Sequence, residues 1–217
     1  MAWLDWIKKT FAAAAAVDEA RWVVLDVETS GLDPQRDQLL AIAAIAVQVD
    51  WPARRLSITP GDSFEVVLRQ SSVASAKDNI LLHGIGLQRQ REGVPPAQGL
   101  RAFADFAGAS PLLAFHAPFD QAMIGRHALA HLGAALPNRW VDIEQLCAVT
   151  HEKVRARALD EWLAHFGISC ANRHQAAADT LAECELLLRI WPQMAGQCSA
   201  WRDVEKLADQ QRWIARA

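Results

Sequence analysis

The stretch Arg21-Trp-Val-Val-Leu-Asp-Val-Glu28, continuing into Thr29-Ser-Gly-Leu-Asp-Pro34, decides how this chain folds. Its first part is a continuous apolar run broken by two acids, with the length and valine content of a buried strand. Gly31 and Pro34 punctuate the second part as a loop. On a strand, Asp26 and Glu28 emerge on one face. Among Val23, Val24, Leu25 and Val27 an unpaired carboxylate is costly, and two like charges at this spacing repel. A divalent cation between them removes both problems. The alternative is a strand that ends at Leu25 and leaves both acids in solvent.

Working outward, Gln38 to Asp50 reads as a second strand. Arg54 to Arg69 contains a third, interrupted by the turn Thr59-Pro-Gly-Asp62. Short polar connections between them predict an antiparallel meander. Upstream, Trp3, Trp6, Ile7 and Phe11 recur at helix spacing, which predicts a helical extension over 1–20. Downstream the pattern becomes helical near 72–82, 96–107, 119–132, 144–150, 158–166, 174–191 and 199–215. Pro111 to Phe115 and Trp140 to Ile143 are too short for helices and suit central parallel strands. The expectation is an α/β domain over 21–195, closed by a C-terminal helix within 196–217. Its core is a mixed five-stranded sheet, three antiparallel strands and then parallel ones, flanked by helices.

A chain of 217 residues makes one full-size domain, which buries roughly 70% of its unfolded surface without disulfides or structural metal. Hydrophobic residues at 52% and charged residues at 22% exclude a disordered chain. No apolar stretch of about 20 residues lacks charges, so no membrane span is expected. Basic and acidic side chains number 22 and 25, for a net charge of -3, which excludes a generic polyanion binder. Nucleic acid would have to be handled at a local site, or through metal ions that reverse the local charge. Cys147, Cys170, Cys184 and Cys198 form no zinc spacing and read as buried thiols of a reducing compartment. Lys8 and Lys9 before Phe11 to Val17 faintly mimic a signal peptide, but the run is short, mostly Ala, and preceded by Asp5. A cytoplasmic location is the expectation.

Further acids stand where a core would not choose them. The strand ending at His116 leads into Ala117-Pro-Phe-Asp120, and Pro118 suits the first turn of a helix. Asp120 then lies at the C-terminal edge of the sheet, where α/β proteins collect their sites. Alone it could equally complement a helix dipole. In His174-Gln-Ala-Ala-Ala-Asp179 the His precedes a helix, and the intervening alanines allow close approach of backbone or ligand. Alone this is also compatible with an ordinary amphipathic helix. Together, Asp26, Glu28, Asp120 and Asp179 form an oxygen-only set that selects two Mg²⁺ or Mn²⁺ over zinc. Such an ion pair is suited to in-line attack on a phosphodiester, with His174 as the base that deprotonates water.

Asp26-Val-Glu28-Thr29-Ser30-Gly31-Leu32, Phe119-Asp120 after a strand, and His174-x₄-Asp179 together resemble the three motifs of the DEDD 3′–5′ exonucleases of the RNase H-like superfamily. The tyrosine form of the third motif is excluded, because Gln175 stands at that position and the chain has no Tyr. The resemblance is therefore to the DEDDh branch, like the proofreading epsilon subunit of bacterial DNA polymerase III. His83-Gly84-Ile85, Trp140-Val-Asp142 and the segment Leu159 to Ile168 are similar to landmarks of epsilon-like members, so the match spans about 21–191 in order.

This resemblance implies hydrolysis at the 3′ end of single-stranded or frayed nucleic acid, DNA before RNA, releasing nucleoside 5′-monophosphates. It implies that backbone near Thr29 meets the terminal 3′-OH, that Leu32 wedges against the last base, and that His83 lies near the nucleotide. One departure stands out: Phe115 and His116 replace the usual His-Asn before the second acid. His116 either contacts a phosphate or caps its strand. Two other readings remain open. One is an RNA-trimming enzyme of the RNase T or oligoribonuclease kind. The other is a non-catalytic module docked on a polymerase or other protein through Trp3, Trp6, Trp201 and Trp213. No long C-terminal extension comes after the third motif, which favours a stand-alone enzyme over a polymerase subunit.

Overall fold

The computed structural model describes residues 16–71 and 84–213. Strands β1 (Arg21–Thr29), β2 (Leu39–Asp50) and β3 (Arg55–Val67) pair antiparallel as a meander. β4 (Leu112–Ala114) joins β1 in parallel, and β5 (Trp140–Asp142) joins β4 in parallel. The sheet order is β3-β2-β1-β4-β5. The expected mixed sheet is therefore present, although β5 lies at an edge instead of the centre. Thr59-Pro-Gly-Asp62 is extruded where the β2–β3 register jumps, leaving β3 continuous around it. Asp62 at this bulge receives both ends of the Arg21 guanidinium at 2.8 Å, which ties β3 to the start of β1.

The helices are α1 (Leu87–Glu92), α2 (Pro96–Ala107), α3 (Ala117–Leu132), α4 (Ile143–Thr150), α5 (Leu159–Phe166), α6 (Ala176–Ala195) and α7 (Trp201–Asp209). Sequence periodicity missed α1, which is too short to show a stripe. The expected helix over 72–82 and most of the N-terminal helix lie outside the described residues. Residues 16–20 correct the latter: they form an irregular segment and a turn, not a helix.

β1 is buried on both faces, and its alternation sorts the core into two layers. Trp22 and Val24 point toward α4, α5, α6 and α7. Val23, Leu25 and Val27 point toward α2 and α3. Asp26 and Glu28 continue the first of these faces by the pleat, which aims them at α6. Helix α6 lies across β1 and β2.

Trp22, wholly buried, packs against Trp51, Trp191 and Trp201 with ring centroids 5.1–5.9 Å apart. Glu19 fastens this cluster, its carbonyl accepting both the Trp22 and Trp51 indole N–H and its carboxylate the Trp201 backbone N–H. Trp201 is thus no partner contact: α7 buries it on its own domain, because an indole left in water forgoes a large transfer energy. Trp3 and Trp6, and the Trp213 side chain, lie outside the described residues.

Candidate active site

β4 pairs with β1 only at Val23 and Val24, so beyond it β1 is open toward the start of α3. There the carboxylates of Asp26 and Asp120 both lie within the influence of the Val27 backbone N–H, which lowers them against the effect of burial. Asp120 is buried in the first turn of α3. Asp179 is buried in the first turn of α6, and its Oδ2 accepts the His174 N–H at 2.9 Å. The Ala176 backbone N–H, at the start of α6, lowers Glu28 against the effect of burial. The four carboxylates from β1, α3 and α6 thus share one electrostatic neighbourhood.

Their charges are poorly compensated. Burial pushes Asp26 up to about 7, with repulsion from Asp179 adding to it. Burial, then Asp26 and Asp179, push Glu28 up to about 9. Burial and Asp26 raise Asp120 as well. Glu28 Oε1 is buried with no hydrogen-bond partner. A buried oxygen of this kind is costly unless something outside the protein satisfies it. An all-oxygen donor set, excess negative charge and an orphaned carboxylate oxygen all fit a hard divalent cation. Among the described residues, no three His, Cys, Asp or Glu side chains stand gathered as a ready metal cluster.

Three participants were not singled out in the sequence. Glu183 is buried, accepts the Phe115 N–H at 3.2 Å, and is raised by burial and by Asp26 and Asp120. Its spacing of four from Asp179 on one helix could have revealed it. Arg173 ion-pairs with Asp179 and Asp160. Cys170, expected to be buried, is only half-buried, and its thiol donates to Asp179 at 3.4 Å. Cys147, Cys184 and Cys198 are buried and free as expected.

The remaining expected residues fall around this cluster. His174 is exposed and left-handed (φ 62°) in the turn before α6. Leu32 is 88% exposed at the loop after β1. Thr29 is buried and its hydroxyl donates to the Gly31 carbonyl. At Gly31 a Cβ would sit 2.5 Å from Asp37 Oδ2, so any larger residue there must push the Asp37 carboxylate aside. His116 is also left-handed, with its backbone N–H on Asp142 and its ring Nε2 3.1 Å from the Arg157 carbonyl. Asp142 additionally caps α4 through the Glu144 N–H, so it knits the ends of β4 and β5 together. His83 lies outside the described residues.

The raised acids predict a pH-dependent stability. Asp26 and Glu28 bind protons more tightly folded than unfolded. Their contribution is full below about pH 4, where the unfolded carboxyls are still protonated. It is lost as pH rises through about 7 and about 9. Thermal melts in chelating buffer should therefore give a melting temperature that falls between about pH 6 and about pH 9, and added Mg²⁺ should restore it most at the alkaline end. A flat melting temperature over that range, unaffected by Mg²⁺, contradicts this account of the cluster.

The fold is that of exonuclease I, an RNase H-like enzyme. One exonuclease I structure superposes with a TM-score of 0.67 at 16% identity, covering 81% of this chain and 43% of that one. E. coli exonuclease I in complex with a dT13 oligonucleotide superposes at 0.66 with 17% identity, covering 79% and 41%. A family model described as exonuclease, RNase_T, matches residues 23–187, and the chain belongs to this exonuclease family. The DNA polymerase III subunit epsilon-like protein of Rhodobacter capsulatus is 30% identical over 183 residues, 83% of this chain and 25% of that protein. The PolC-type DNA polymerase III of Clostridium perfringens is 26% identical over 167 residues, 76% of this chain and 11% of that protein. The chain thus spans a quarter or less of these two relatives. No helix among the described residues is long and apolar enough to cross a membrane.

Proposed function

We propose that this nuclease is a metal-dependent 3′–5′ exonuclease of the DEDDh type, acting on single-stranded or frayed DNA ends and releasing nucleoside 5′-monophosphates. The observation that carries the reading is the mutually repelling acid cluster of Asp26, Glu28, Asp120 and Asp179, with Glu28 Oε1 buried and unpartnered. These four carboxylates would hold two Mg²⁺ or Mn²⁺ ions, which when bound supply water activation and charge neutralisation at the scissile phosphate. His174, exposed beside Asp179, is the group that accepts the proton of the attacking water. Leu32, an apolar side chain held in solvent, supplies a surface against which any terminal base can lie. The Thr29 backbone, His83 and His116 complete the proposed substrate contacts. Against the stand-alone enzyme expected from the sequence, the likeness to relatives named as DNA polymerase III proteins supports association with a polymerase, and the setting is taken as cytoplasmic.

The test is digestion of matched DNA and RNA oligomers, single and double stranded, labelled at either end, with Mn²⁺ or with chelator. Mononucleotides should appear from the 3′ end, only with metal, and faster from single-stranded DNA. Faster loss of RNA would move the substrate to the exoribonuclease reading. Release that persists in chelator would remove the metal mechanism.

A further inference from the structure

Asp179 is oversubscribed. Its Oδ2 accepts the His174 N–H, while its Oδ1 meets both the Arg173 guanidinium and the Cys170 thiol. A cation could use Oδ1 only by displacing one of them. The charge of Arg173 also reaches further, lowering the proton affinity of Asp26 and Glu28 against the effect of burial. A guanidinium thus stands within the acid cluster, and the acids do not close into a ready metal site among the described residues. Arg173 also has somewhere to go. Its Nε is paired with Asp160 on α5, and Asp160 is mostly solvent-exposed. A planar fork that is always charged can hold two carboxylates at once and keep one when the other is withdrawn.

We infer that Arg173 is a switchable counter-ion of this site: it holds Asp179 in the metal-free protein and surrenders it, retaining Asp160, when a divalent cation binds. The inference rests on the proposed metal-dependent function and adds a residue that sets metal affinity. Because the two cations compete for one carboxylate, each must weaken the other's hold. Removing the guanidinium therefore tightens metal binding. Removing its fallback partner does the opposite, because Arg173 is then left with Asp179 alone.

Calorimetric titration of Mn²⁺ into chelator-stripped full-length protein, without nucleic acid, tests this. Arg173→Gln should bind Mn²⁺ about tenfold more tightly than wild type, within the usual range of coupling between two sites. Asp160→Asn should bind it more weakly, and should have no further effect in the Arg173→Gln background. If Arg173→Gln fails to fold by circular dichroism, Arg173→Lys serves instead. Its single ammonium cannot span both carboxylates, so a smaller tightening is expected. Wild-type binding with unchanged or weaker affinity in the Arg173 variant overturns the counter-ion role and leaves the metal site standing. Absence of Mn²⁺ binding in the wild type overturns both.

Discussion

Asp26→Asn is expected to reduce nuclease activity by more than about 10³-fold, since several kcal/mol of charge stabilisation at the phosphate depends on the full carboxylate set. Asp26 is the hub of the cluster: its charge is felt by Glu28, Asp120 and Glu183, and it in turn feels Asp179. The amide keeps the size of the side chain and removes its charge. The variant should therefore fold, and in chelating buffer at neutral pH it should melt at a higher temperature, because burial and repulsion both oppose the native carboxylate. Asp179→Ala should abolish activity equally but without the gain in stability. It removes one of the two carboxylate partners of the Arg173 guanidinium and the acceptor of the His174 N–H. Activity assays paired with thermal melts separate the two cases. Near-wild-type activity in either variant would end the metal-site reading.

His174→Asn should lower the turnover rate by about 10²–10⁴-fold, the usual contribution of a positioned general base. Asn is the informative replacement because residue 174 is left-handed, a conformation that Asn tolerates better than most side chains. The backbone N–H that Asp179 accepts is kept, so the turn before α6 survives. Near-wild-type turnover in this variant would remove the base role from His174.

Much of this site could be read in one dimension because its parts obey local rules. The pleat places Asp26 and Glu28 on one face of β1 whatever the rest of the chain does. Proline in the first turn of α3, just after β4, brings Asp120 to the C-terminal edge of the sheet. The short apolar runs around 112 and 140 are strands because nothing else fits in so few residues. Other features had no local signature. Glu183 looks like any helix acid until α6 is laid across β1, where it meets the Phe115 N–H. Trp201 carries the same sequence signal as a partner anchor and is buried only because Trp22, Trp51 and Trp191 converge beneath it.

The sequence by itself determined the mixed sheet and the order of its strands' directions, and it singled out four acids as site candidates, since periodicity and turn chemistry act over a few residues. Only the tertiary structure decided how those acids are neutralised. Arg173 reaches Asp160, an α5 residue, as well as Asp179 of α6, and Glu28 Oε1 finds no partner. Coulomb forces and desolvation depend on distances across the fold, and chain spacing does not encode them.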